Sequence, residues 1–425
     1  MRASLFVFLA LTIAACGGST SDNPGNNNDQ DAGTGTDDDA GADDAGTSNL
    51  PSTSYPATHS AMPQVKNLGG PVIKNAKVLA ITFPDDDSAS VASIEDFSTK
   101  IGASKYWTTI GQEYGVAAAT STGVHYATTL PSKSISDDDI QAFLTAQVGT
   151  GLPAGDSSTL YALYYPTGYT ITLPHNQGTS CKQFGAYHGE FQTSDGQSRM
   201  YAVMPRCKPE FPGETTIDTV TAAASHEYFE AATDPFPDSQ PAWSLPDGTG
   251  LGWYFLGGGG ELGDMCAGLG DVFYKDDEVG YLVQRMWSNA AAKASHDPCI
   301  PQQQTPYFNA APVMPDTDNE KGIGTVPVVK VALNETKTIE VDLFSDAATS
   351  GPFSVDVADL AELTGSTAEL SVALDLTSGQ NGQKANLTIT RTAAASQGVS
   401  AFVLESSAGG KGTQQSPNLW IGLVE

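Results

Sequence analysis

The stretch of this chain best suited to chemistry is Ser225-His226-Glu227-Tyr228-Phe229-Glu230-Ala231-Ala232-Thr233-Asp234-Pro235. On a helix, His226 and Glu230 stand at i and i+4, one turn apart on one face, where both can reach the same metal ion. Glu227, at i+1, then lies beside a metal-bound water and can take its proton. The pattern is HExxE where zinc hydrolases usually carry HExxH. A carboxylate is a competent zinc ligand, though it leaves the site less positive than an imidazole would. The same five residues can also arise by chance on a solvated helix face of an acid-rich chain. Asp234 weighs against chance, because an anion at a helix C-terminus opposes the macrodipole. Pro235 stops the helix there, so a metal, a turn hydrogen bond or a nearby cation must place Asp234.

Two ligands from one helix do not complete a zinc site, which needs a third from elsewhere in the chain. Gly257-Gly258-Gly259-Gly260 is followed by Glu261-Leu262-Gly263-Asp264-Met265-Cys266. A run of four glycines marks a loop that is mobile or passes very close to something. Glu261 and Asp264 are therefore the expected third ligands, ahead of Asp234. His188, in Tyr187-His188-Gly189-Glu190, can supply a ligand from a strand, although a lone histidine is more often structural. Zn²⁺ is the expected ion. Ca²⁺ is the alternative if the oxygens of Glu230, Asp234, Glu261 and Asp264 do the binding. A carboxylate-pair glycosidase built from Glu227, Glu230, Glu261 or Asp264 is a further possibility, with Trp243, Trp253, Tyr254 and Trp287 as cleft or core aromatics.

The elements that must position these residues form an α+β domain expected over residues 55–301. Lys77 to Phe83 reads as a buried strand, as do Thr159 to Tyr165 and Arg199 to Met204. Val91 to Gly115 has helical spacing, with Ile94, Phe97, Ile101, Trp107 and Ile110 as core positions. A second helix starts after Ser136 and runs to Val148, with Asp137, Asp138 and Asp139 in its first turn. The helix that carries the motif is expected from Thr216 to Thr233. Strands and helices followed by a helix with His and Glu one turn apart suit a zincin-like arrangement. After a linker at 302–325, residues 326–425 alternate polar and apolar. Thr338 to Leu343, the series Leu370, Val372, Leu374 and Leu376, and Leu387 with Ile389 after a turn at Asn381-Gly382 all follow this pattern. That segment reads as a small all-β, Ig-like sandwich, a spacer or a module that sticks to polymer or protein.

The blocks Ser225-His226-Glu227-x-x-Glu230-Ala231-x-Thr233-Asp234-Pro235 and Glu261-Leu262-Gly263-Asp264-Met265-Cys266 resemble the signature of the plant EXORDIUM, or phosphate-induced, secreted proteins and their bacterial relatives. In general layout the resemblance covers Lys77 to Cys299, and it is specific in those two blocks. It implies an extracellular protein associated with the cell wall and names no reaction. The N-terminal segments and the C-terminal sandwich depart from the plant pattern.

Arg2, the apolar run Leu5 to Ala15 and Ile13-Ala14-Ala15-Cys16 read as a bacterial lipoprotein signal over residues 1–16, with Cys16 lipidated. The eleven residues of that run fall short of the about 20 needed to span a bilayer. Residues 17–54 read as a disordered tether; Gly17 to Ser48 holds eight Asp and no Lys or Arg. The expected location is the bacterial outer membrane or cell surface, with the membrane engaged only through the lipid. The whole chain has 425 residues, 49 acids, 20 bases and a formal net charge of −29. Without the eight tether Asp, 41 acids still face 20 bases, which argues against nucleic acid as a partner. Four cysteines remain beyond Cys16. An even count in an exported chain implies two disulfides, with near-neighbour pairing Cys181–Cys207 and Cys266–Cys299 favoured among three connectivities. No C-x-x-C spacing supports a thiolate zinc site. The leading expectation is a surface-anchored zinc peptidase acting on a peptide or cell-wall polymer. The other is a non-catalytic, EXORDIUM-like surface protein with a structural metal or acid cluster.

Overall fold

The computed structural model describes residues 49–174, 178–209, 213–246, 248–269, 271–320, 324–396, 398–408 and 417–425. Cys16 and the Asp-rich part of the tether lie outside the described residues. Five strands form the central sheet: β1 (Lys77–Thr82), β2 (Thr120–His125), β3 (Thr159–Tyr164), β4 (Tyr187–Gln192) and β5 (Ser198–Met204). Their order is β2-β1-β3-β5-β4, parallel except for the antiparallel edge strand β4. A parallel sheet covered on both faces needs apolar residues on both, so β3 and β5 read as continuous apolar runs. The pleat divides them. Leu160, Ala162 and Tyr164 face one hydrophobic cluster, and Tyr161 and Leu163 face another. Helix α3 (Asp137–Gln147) covers the second face with Ile140 and Leu144. The first face is covered by α1 (Ser88–Ile101), α2 (Lys105–Tyr114) and α4 (Thr216–Thr233).

The expected single helical run over 91–115 is two helices. Ser104 accepts the Trp107 N–H and caps α2, and the chain turns at Gly102, where a Cβ would lie 2.7 Å from the Ala119 carbonyl oxygen. Periodicity alone did not separate them, because Phe97 and Ile101 in α1 and Trp107 and Ile110 in α2 all enter the same core.

The C-terminal part is a pair of four-stranded antiparallel sheets. One runs 308–312, 336–345, 384–391, 370–374 in spatial order; the other runs 378–379, 353–359, 400–407, 418–424. Two expectations are corrected here. The expected linker at 302–325 contains an edge strand, Phe308–Pro312, and half of a hairpin, Asp316–Glu320 with Gly324–Val328. The last tether residues also pack on the sandwich. Asn49 exchanges hydrogen bonds with Lys384, and the Ser52 N–H donates to the Asn381 carbonyl. The two parts share one hydrophobic cluster, in which Trp253 packs edge-on against Trp287 (5.2 Å between centroids) and Trp420 (5.5 Å). Gly252 permits this contact, since a Cβ there would stand 2.7 Å from the Ile421 carbonyl oxygen.

Asn381 is more than the turn residue its sequence suggests. Its side chain is buried and uses all its main capacity: Oδ1 accepts from the N–H of Ala57 and Ser345, and Nδ2 donates to the carbonyls of Ser52 and Ser54. Asn381→Ala leaves those buried N–H groups without a partner and is expected to lower stability by about 1–3 kcal/mol. Urea unfolding measures the loss. Faster protease cleavage within 49–57 than in wild type would locate it; an unchanged cleavage pattern would show that this segment is held by other contacts.

Candidate metal centre

Helix α4 starts with a capping box, in which Thr215 accepts the Asp218 N–H and Asp218 accepts the Thr215 N–H. Its interior is rich in small buried residues, with Ala224, Ala231 and Ala232 fully enclosed. These let the helix lie close to the sheet, to α1 and to the strand Leu282–Gln284. Glu227 and Glu230, one on each side of the turn, are thereby drawn below the surface, where a carboxylate persists only with charged or hydrogen-bonding partners.

Those partners come from two other elements. In β4, His188 lies opposite Ala202 of β5. Cross-strand neighbours share a face, and Ala202 belongs to the cluster under α4. His188 therefore points at the motif helix, while Tyr187, opposite Val203, faces α3. The glycine loop supplies the rest. A Cβ on Gly263 would stand 2.7 Å from His226 Nδ1 and 2.8 Å from Glu230 Oε1, and one on Gly259 would overlap the Asp264 carboxylate. The loop is glycine because it passes against the site. Its N–H groups at Gly263 and Asp264 donate to Glu230 Oε1 at 2.8 and 3.0 Å. The disulfide Cys266–Cys299 secures the segment beyond, and Cys181–Cys207 joins the residues before β4 to those after β5.

Around Glu230 the side chains form two adjoining sets. His226 Nε2 is 2.9 Å from Glu230 Oε2 and 3.5 Å from Asp264 Oδ1. His188 Nδ1 is 3.3 Å from Glu227 Oε2 and 3.8 Å from Glu230 Oε2. Within each set, His226–Glu230–Asp264 and His188–Glu227–Glu230, one donor atom per residue lies within 4.8 Å of the others. Glu261 joins them, with Oε2 3.5 Å from His188 Nε2, buried and without a hydrogen-bond partner among the described residues.

Each imidazole has its other nitrogen fixed by a carbonyl acceptor. His188 Nε2 donates to the Asp234 main-chain oxygen at 3.1 Å. His226 Nδ1 donates to Gln284 Oε1 at 3.1 Å, and that amide is oriented by its own Nε2–H donating to the Gly263 carbonyl at 2.7 Å. His226 Nε2 is thus turned toward Glu230 and Asp264, and His188 Nδ1 toward Glu227 and Glu230, while Glu261 lies on the Nε2 side of His188. Tying one ring nitrogen to a carbonyl and leaving the other for an ion is how proteins orient metal-ligating histidines.

The electrostatics agree with a site built for positive charge. Burial opposes a charged His188, but the hydrogen bond and charge of Glu227, with Glu230 and Asp234 behind, outweigh it and raise the imidazole to about 9. His226 is likewise held well above its ordinary value against its burial, by Glu230 and Glu227. Glu230 is pushed up by burial but pulled down further by His226 and His188, to about 2. Glu227 is raised, by burial foremost. Burial, then the charges of Glu230 and Asp264, drives Glu261 far upward; Asp264 is raised by burial and by Glu230. Crowded, buried carboxylates favour their protonated forms in this way.

Asp234 stands at the helix end with a defined structural contact. Its Oδ1 accepts the Ala242 N–H at 2.9 Å, the turn hydrogen bond that places it at the helix end, and its main-chain oxygen orients His188. Gln284 had no signal in the sequence, because it sits in a three-residue strand and acts on the site only through space. His188 carried a weak signal, a polar residue inside a strand. Trp253 and Trp287 are buried core aromatics rather than cleft walls, and Trp243 packs edge-on against Tyr114. No helix among the described residues is long and apolar enough to cross a membrane.

The sequence matches no protein-family model and no curated protein. Solved structures that align over part of the chain include two from S-layer proteins. Domains 4 and 5 of the S-layer protein SbsC are 16% identical, with 30% of this chain and 57% of that chain covered at a TM-score of 0.18. Domains 1–6 of the surface layer protein SbsC are 12% identical, with 34% and 22% covered at a TM-score of 0.16. At those scores the likeness carries no conclusion about fold or function.

Proposed function

We propose that this chain is an exported, surface-held zinc hydrolase whose substrates are peptides, free or within a cell-wall polymer. The observation that carries the reading is the pair of histidines, each anchored through one nitrogen to a carbonyl and turned through the other into shared carboxylates. His226, Glu230 and Asp264 hold the ion, with Glu261 as the neighbouring carboxylate. A bound zinc supplies Lewis acidity and lowers the pKa of a coordinated water. Asp264 and His226, with side chains 23% and 13% exposed, form the side open to solvent, while Glu230 at 4% lies beneath. Glu227, buried and raised, is the base that takes the proton.

The zincin-like label is supported by the motif helix packed on a mixed sheet whose antiparallel edge strand borders the site. The paired antiparallel sheets favour an Ig-like sandwich. Two disulfides favour export, and the lipobox ending at Cys16 favours lipid anchoring. A second reading is a non-catalytic, EXORDIUM-like wall-associated protein with a structural Ca²⁺. It is favoured by the predominance of carboxylate oxygens in the cluster.

Elemental analysis of the full chain, wild type beside His226→Ala, separates these readings. The whole chain is used because both parts share one core. About one zinc or more per wild-type chain, lost or reduced in the variant, is the expected result. Calcium in place of zinc would favour the structural reading, and no metal in either protein would remove the hydrolase and leave a non-catalytic acid cluster.

A further inference from the structure

We infer that the centre has a second cation position, formed by His188 Nδ1, Glu227 and the shared carboxylate of Glu230, beside the one formed by His226, Glu230 and Asp264. The inference rests on the reading above for the first ion and adds a ligand set that the HExxE pattern does not contain. Glu230 Oε2 faces both imidazoles, at 2.9 Å from His226 Nε2 and 3.8 Å from His188 Nδ1. A carboxylate between two nitrogen donors is the bridge that two-metal sites use, where the ions stand about 3.5–4 Å apart.

Two features point to a second ion rather than to a spare ion pair. His188 has a side chain only 6% exposed, and its Nε2 is committed to the Asp234 carbonyl. Its remaining nitrogen, aimed at Glu227 and Glu230, is therefore the atom free for a metal. Charge is the second feature. Glu227, Glu230, Glu261 and Asp264 converge here, with Asp234 adjoining but turned to the Ala242 N–H. One divalent ion with a protonated His188 leaves one of those four carboxylates uncompensated, and a second ion that displaces this proton balances all four.

The second ion has a consequence for catalysis. It takes Glu227 as a ligand, so Glu227 can no longer accept a proton from a water on the first ion. Filling the second position therefore silences a one-zinc hydrolase, and zinc in excess acts as an inhibitor held by His188.

Zinc chloride is titrated into chelator-stripped full-length protein by calorimetry, with bound zinc counted by elemental analysis after gel filtration. Wild type should take two equivalents, and His188→Ala one, with the tighter event kept within a few-fold of its wild-type affinity. Glu227→Gln, which preserves side-chain size, serves if His188→Ala fails to fold; it should weaken the second event at least tenfold and spare the first. One equivalent in wild type, unchanged in both variants, would overturn the second position and leave the proposed hydrolase standing. Two equivalents insensitive to both substitutions would place the second ion elsewhere and overturn it as well. No zinc bound by wild type would mean that the proposed function itself had failed.

Discussion

Glu230→Ala is expected to strip the centre of zinc and to lower stability by about 3–5 kcal/mol, the loss typical when one partner of a buried charge pair is removed. Glu230 is where the site is joined. Its Oε1 receives the N–H groups of Gly263 and Asp264, which hold the glycine loop against α4, and its Oε2 faces both histidines. Alanine leaves two buried N–H donors unpaired and His226 and His188 short of a counter-charge. Urea unfolding of chelator-treated wild type and variant measures the difference, and elemental analysis measures the metal. A variant as stable as wild type that still bound zinc would show that the loop and the ion are held by other groups.

The pH dependence of that gap follows from the carboxyl's position. Glu230 is held at about 2 against an ordinary 4.5, so it stabilises the folded state as a carboxylate. Its contribution is complete above pH 4.5 and is lost as pH falls toward 2. His226 works the other way, since its folded value is raised above 6.5. In metal-free protein its contribution is complete below pH 6.5 and is lost as pH rises through the folded value. Zinc added at alkaline pH replaces the departing protons and should restore stability.

Glu227→Gln is expected to cut turnover by about 10²–10⁴-fold, the usual contribution of a positioned general base, while leaving the first zinc bound. Glutamine has nearly the same shape and can still meet His188 Nδ1, so packing of the buried position survives. What it lacks is the ability to accept a proton. Cleavage of a mixed-sequence fluorogenic peptide pool by zinc-loaded protein at one equivalent is the measurement, with KM and kcat resolved. A fall in kcat with KM unchanged marks a residue that acts on the reaction. Turnover equal to wild type would remove Glu227 from the mechanism and turn attention to Glu261 or Asp264.

Much of this was legible in the chain because it depends on local rules. The limits of α4 follow from the Thr215 cap and from Pro235. The start of α3 follows from Ser136 and the Asp residues after it, and near-neighbour pairing found both disulfides. The run of glycines pointed to mobility or a close approach, and in the structure Gly259 of the run lies against the Asp264 carboxylate, while Gly263 beyond it lies against His226 and Glu230. Legibility failed where a residue's role is set by something distant. Phe308 to Pro312 looks like a linker because its alternation is masked by two alanines and a proline. It becomes a strand by pairing with residues 341–345. Residues 49–54 look like the end of a polar tether, since their hydrogen-bond partners lie more than three hundred positions away.

The chain by itself determined the helix that presents His226, Glu227 and Glu230, the acidic loop that follows it, and the presence of two disulfides, whose favoured pairing the structure bears out. Capping, spacing and cysteine count act over a few residues and leave their marks in order. Only the tertiary structure decided that His188 faces α4, that Gln284 fixes the His226 ring, and that Asp234 takes the Ala242 N–H. Those outcomes depend on sheet register, on which pleat face meets the helix, and on how far burial outweighs each charge. None of these quantities is defined until the strands have paired and the core has closed.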